Sequence, residues 1–168
     1  AEGFDHVRIP VAWHLYAGDF NEACANNFTI PDTQAAINSK RFDNWVNNVL
    51  TWGAGSSIDD ISNTNVAWVK SGVLAPYTTA ALGIYKCPAD IYVSPAQKKA
   101  GWSARIRSNS MNALFGRSDN LASSASGRSW YAGGQYRQFL KTTDVPTPAM
   151  TWLTVDEHPD SVNDAFFI

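Results

Sequence analysis

The sequence predicts an α+β domain in which N-terminal helices pack on a small antiparallel β-sheet, with long loops between elements. Three observations carry that prediction. Apolar residues recur at helical spacing in the first half of the chain. Beyond Tyr77 that period gives way to short apolar runs punctuated by Gly, Pro, Asn and Ser, the pattern of strands. No linker, repeat or low-complexity tract divides the 168 residues, so 1–168 reads as one domain, with helices on one face of its sheet.

In chain order, Phe4 to Tyr16 mixes strand-like alternation (Val7, Ile9, Val11) with a helical run from Val11 to Tyr16. Pro10 is compatible with that helix only in its first turn. Asp32-Thr33-Gln34 offers an N-cap, and Ile37, Phe42, Trp45, Val46, Val49 and Leu50 predict one or two amphipathic helices up to Trp52, ending at Gly53. After a Gly/Ser-rich turn over 53–57, the Ser62-Asn63-Thr64 cap and Val66, Val69, Val73 and Leu74 predict another helix, stopped by Pro76. Strands are predicted at 83–87, 104–107, 150–155 and 165–168, and an extended surface loop at 112–136.

With 45% hydrophobic and 17% charged residues the chain is too apolar for disorder, and it lacks the run of about 18 apolar residues that a membrane span needs. A net charge of −2, and no basic block longer than Lys98-Lys99, argue against nucleic-acid binding through phosphate neutralisation. Seven Trp, six Tyr and eight Phe suggest an exported or surface protein. Exposed Trp and Tyr stack on sugars, as in a carbohydrate-binding module, but most of the tryptophans here occur at amphipathic spacing and read as core. Cys24 and Cys87 are too sparse for a zinc cluster, and form either one disulfide or two buried thiols. The chain opens without Met and closes on the apolar run Ala165 to Ile168, which predicts a piece of something longer.

Candidate chemistry concentrates in Val155 to Asp164, where Asp156, Glu157, Asp160, Ser161, Asn163 and Asp164 bear oxygen in a turn between two apolar strands. Hard divalent cations take such oxygen sets, and calcium tolerates irregular geometry better than magnesium. The spacing is not that of an EF-hand. The same residues also suit a solvated acidic hairpin whose Asp and Asn cap turns. His158, beside Pro159 and with no other histidine near in sequence, reads as a surface turn residue. A nucleophile is harder to find. No Gly-x-Ser-x-Gly elbow is present, Ser123-Ser124-Ala125-Ser126 reads as loop, and Asp59-Asp60 as helix caps or a solvated edge rather than a glycosidase pair. No catalytic residue is assigned.

Several strings carry a resemblance: Asn44 to Leu50, Asn63-Thr64-Asn65, Leu74 to Tyr77, Gly83 to Asp90, Arg107 to Asn112 and Thr154 to Asp164. Together they resemble the globular part of type IV pilin-like pseudopilins, in particular the major (G-type) pseudopilins of type II secretion found as large prepilin-type families in environmental bacteria. Trp13 to Asp19 resembles the handover from the long N-terminal pilin helix to the globular domain. The resemblance covers roughly residues 12 to 168, and its Cys87-Pro88-Ala89-Asp90 and Asp156-Glu157-His158-Pro159-Asp160-Ser161 pieces are its most specific.

That resemblance implies a helical stem, a loop region and a small antiparallel sheet, assembled with other pseudopilin subunits into a filament. It implies a periplasmic or cell-surface location, anchored in the inner membrane in the full-length form. It also implies bound calcium near the last strands, which maps onto the acidic turn with Asp156, Glu157, Asp160, Ser161 and Asp164 as ligands. Two pieces of the family pattern are missing: the prepilin cleavage motif with its apolar helix, and a His-(nine residues)-Asp-Gly segment. This piece alone is therefore expected to make no membrane contact and no normal filament. Gly3 to Val11 resembles a strand of (β/α)-barrel glycoside hydrolases, but a barrel takes roughly 250 residues, so 1–11 reads as a junction segment. The expected function is structural. The alternative is a metal-dependent hydrolase of a small ester, lactone or glycan, in which a cation at Asp156, Glu157, His158 and Asp160 polarises a carbonyl or activates water.

Overall fold

A computed structural model describes residues 8–118, 127–129 and 131–168. Helix α1 (Arg8–Asp19) carries Pro10 in its first turn, where the missing N–H costs no hydrogen bond. It buries Ala12, Trp13 and Ala17 and leaves His14 and Leu15 exposed. Helix α2 (Ile30–Asn38) has Pro31 at its start and buries Thr33, Ala36 and Ile37, while the Thr29 hydroxyl donates to Asp32 Oδ2 at 2.9 Å. Three single-turn helices follow. The first two are α3 (Ile58–Ser62), capped by Ser57, and α4 (Val66–Lys70), capped by Asn65. The third, α5 (Pro95–Lys99), carries a Ser94/Gln97 capping box.

The sheet is small and mixed. Strand β1 (Asn109–Asn112) lies between β2 (Thr154–Asp156), antiparallel to it with Ser110 opposite Val155, and β3 (Phe166–Phe167), parallel to it with Met111 opposite Phe166. The expected all-antiparallel sheet is corrected on this point: β2 and β3 run opposite to one another as a turn-linked pair does, but β1 is inserted between them. Together with the helices this makes a mixed α+β fold.

The expected helix over 42–52 is absent. The chain from Asn44 to Leu50 is buried at every residue, so apolar side chains at helical spacing no longer mark one face. Its three asparagines divert the backbone toward side-chain partners, as Asn does outside helices. Asn44 Oδ1 accepts from the backbone of Phe28, and Asn48 donates to the carbonyl of Ser62 at 2.6 Å. Asn63 Oδ1 in turn accepts from Thr51 N at 3.1 Å. The run 83–87 falls mostly within a 3-10 turn (Leu82–Tyr85) rather than a strand, and 104–107 is irregular, its neighbours bonding singly to separate segments: Ile106 N to Asn63 O and Ser108 N to Tyr85 O. The expected loop over 112–136 begins inside β1 and buries Ala113 and Phe115; its stretch 119–126 and residue 130 lie outside the described residues, as does most of the 1–11 segment.

Trp13, Trp45, Val46, Val69, Leu74, Tyr85, Met111 and Phe115 form the apolar core between the helices and β1. At Gly116 the backbone turns with φ +70° against Ala25, where an added Cβ would meet the Ala25 carbonyl oxygen at 1.9 Å. Only glycine fits there.

Candidate functional site

The acidic turn connects β2 to β3 and is closed by its own backbone: Ser161 N and Val162 N both donate to the His158 carbonyl. Val162 and Ala165 are buried and pin it to the domain. What holds it is a pair of buried arginines that the sequence reading passed over. Arg105 donates to the carbonyls of Pro159 (3.2 Å) and Val162 (3.5 Å), and Trp52 Nε1 adds a bond to Pro159 at 3.2 Å. Arg107, 0% exposed, donates to Asn48 Oδ1 at 2.9 Å, to Ser110 Oγ at 3.1 Å, and to the carbonyls of Asn109 and Asp164. Guanidinium supplies five donors in a rigid fork, so one side chain can bind several carbonyls of a bent chain at once.

The five predicted ligands meet different fates. Asp156 ends β2, and its Oδ1 accepts from Ser108 Oγ at 3.3 Å. Glu157 and Ser161 are brought together, Ser161 Oγ donating to Glu157 Oε2 at 3.2 Å, while Glu157 Oε1 is buried with no hydrogen-bond partner. Asp160 stands out in solvent, its side chain 71% exposed and its Oδ2 3.6 Å from His158 Nδ1. Asp164 is turned inward. Burial pushes its carboxyl up to about 6 against the pull of the Arg107 charge, and burial likewise draws the Arg107 guanidinium down to about 10. Among the described residues no three His, Cys, Asp or Glu side chains gather into a group that could hold a metal ion.

The oxygen-only set at the turn's surface has the chemistry of a hard-cation site, and the orphaned Glu157 Oε1 is an acceptor without a donor. The signal that could have found the arginines is their position. Two guanidinium groups in the short segment Ala104-Arg105-Ile106-Arg107, predicted as a strand, must point somewhere, and alternation puts both on the same side. Cys24 and Cys87 are free thiols, Cys24 buried and pushed up to about 12 by desolvation and Cys87 only half-buried, so the expected pair of buried thiols holds for Cys24 alone.

No protein-family model, no curated protein and no solved structure matches the chain. Among the described residues no helix is long and apolar enough to cross a membrane.

Proposed function

We propose that this chain is a non-catalytic structural domain of the pseudopilin type, whose acidic turn takes calcium. The observation that carries the reading is the division of labour in that turn. Its carbonyls at Pro159, Val162 and Asp164 are bound inward by Arg105 and Arg107, whereas Asp156, Asp160 and Ser161 are left on its outer side, with Glu157 half-buried between. A loop already bent by the protein needs little ordering when a cation arrives, which is what a structural calcium site requires. Asp164, turned inward with its backbone carbonyl bound by Arg107, is not a ligand in this reading. Helix α1 adds support: one face is docked through Ala12, Trp13 and Ala17, the arrangement of a stem that enters a globular head.

The direct test is to place residues 12–168 behind the apolar stem of a major pseudopilin in a cell that carries the corresponding secretion platform. The chain is expected in filaments sheared from the cell surface. A folded, membrane-anchored fusion that never enters those filaments would overturn the reading.

A further inference from the structure

The segment that follows β2 is held by its main chain far more than by its side chains. Besides the carbonyls of Pro159 and Val162, Asp164 O accepts from Arg107 and from Ser110 Oγ, the latter at 3.3 Å. Ala165 O accepts from Trp45 Nε1 (3.1 Å) and from Met111 N (3.0 Å), Asn163 O from Leu50 N, and Phe167 O from Ala113 N at 2.9 Å. All of these donors, with Trp52, lie in residues 45–52 or 105–113, and none in the segment itself. Of residues 158–168 only Val162 and Ala165 are buried. Carbonyls bound along their length, with a few buried side chains to set the register, are the features of a seat for an extended peptide added to a sheet.

The joint between β2 and this segment is local and exposed. The Glu157 amide still donates to Ser108 O at 2.9 Å, and the His158 side chain is 75% exposed. The bonds that bend the turn, from Ser161 N and Val162 N to His158 O, run within the segment. A change of backbone angles at Glu157 and His158 therefore frees the segment with its own bend intact, while β1 and β2 stay paired.

We propose that the seat formed by residues 45–52 and 105–113 takes residues 158–167 of a second copy of this chain in place of its own, giving a dimer by reciprocal exchange. A second copy is the favoured occupant because it offers the same carbonyls and the same Val162 and Ala165 that already fit, so that only the joint differs. Within one chain the effective concentration of a tethered segment is of roughly millimolar order, so exchange competes only near that protein concentration. Once one segment has crossed, the return crossing is intramolecular, which closes a two-fold dimer. The inference uses neither the calcium nor the filament reading.

The test is to unfold the whole chain in urea, refold it at about 1 mM and at about 10 μM, and separate both by size exclusion with light scattering. A dimer is expected from the concentrated sample and monomer from the dilute one. When isotope-labelled and unlabelled chains are refolded together, the dimer is expected to show nuclear Overhauser contacts between Ala165 of one copy and Trp45 of the other. A synthetic peptide of residues 157–168, in excess during concentrated refolding, is expected to lower the dimer fraction and leave the chain itself unaltered. The same peptide with Ala165→Trp, too bulky for the buried position, is expected to compete about tenfold less well. Monomer at both concentrations, a dimer whose Ala165–Trp45 contacts stay within one copy, or a native peptide no better than its Ala165→Trp form would overturn the proposal.

Discussion

Two buried regions meet at β1 and are built on opposite principles. On one side Trp45, Leu74, Tyr85 and Met111 pack as an apolar core, with Trp13 edge-on to Phe115 at 5.9 Å and Trp45 tilted against Tyr85 at 6.0 Å. On the other, Arg105, Arg107, Asn48 and Asn63 fill the interior with charged and amide groups tied by directed hydrogen bonds. Apolar burial is non-directional and tolerates exchange of shape, whereas a buried charge is held only while its partners stay in place. The first region sets that the chain collapses, and the second sets where the last turn goes.

The sharpest way to break that comparison is to delete the guanidinium. Arg107→Ala strands the carbonyls of Asn109 and Asp164 and leaves Glu157 and Asp164 uncompensated, and is expected to cost about 3–5 kcal/mol in urea unfolding at pH 7. Arg107→Met, which fills the volume without the charge, should cost less. A loss below about 1 kcal/mol in the alanine variant would show that the turn is held by its apolar residues alone.

Calcium tests the outer side of the same turn. After exhaustive chelation, calcium at about 100 times its Kd is expected to add about 2.7 kcal/mol, raising the melting temperature by roughly 5–10 °C. Asp160→Ala should remove most of that rise without lowering the calcium-free melting temperature, because its side chain is out in solvent. A zinc-selective rise would instead bring forward His158 and the hydrolase reading, and no rise would make the turn a solvated hairpin.

Asp164 sharpens the inner side. Its folded-state carboxyl is raised to about 6 by burial from an ordinary 3.8, so the folded chain binds the proton more tightly than the unfolded one. Its stabilising contribution is complete below the unfolded value and is lost as pH rises through about 6. In calcium-free buffer Asp164→Asn is accordingly expected to gain about 1–2 kcal/mol at pH 7, after allowance for partial exposure, and to flatten stability between pH 4 and about 6.5. An unchanged pH profile in the variant would remove Asp164 from the clasp. The smallest effect belongs to the apolar side: Met111→Leu, volume-conserving and fully buried, should cost under about 1.5 kcal/mol by thermal unfolding.

Legibility followed the same division. Pro10 sits in the first turn of α1 as expected, but the cap of α2 is Thr29 rather than Asp32-Thr33-Gln34, and the helix expected from a Ser62-Asn63-Thr64 cap through Leu74 is only the single turn Val66–Lys70, capped by Asn65. Helix α5 is equally local, since Ser94-Pro95-Ala96-Gln97 is a capping box with proline at its first position, yet the sequence reading assigned no element there. The run 42–52 misled for a different reason. Periodicity reports a face, and its central part 44–50, buried at every residue, has none. The acidic turn was visible as composition, but composition does not tell which oxygens are already engaged. Asp164 and Asp160 look alike in the sequence, and one is pressed toward a buried guanidinium while the other stands in water.

By itself, then, the sequence determined the α+β class, the first-turn place of Pro10 and the stretch where oxygen-bearing side chains accumulate, all of which depend on residues within a few positions of each other. Only the tertiary structure decided that the sheet is mixed and that Arg105 and Arg107 grip a turn more than fifty residues away. A guanidinium finds its carbonyls only once the chain has closed those distances. The free energy of such contacts depends on burial, which no local stretch of sequence contains.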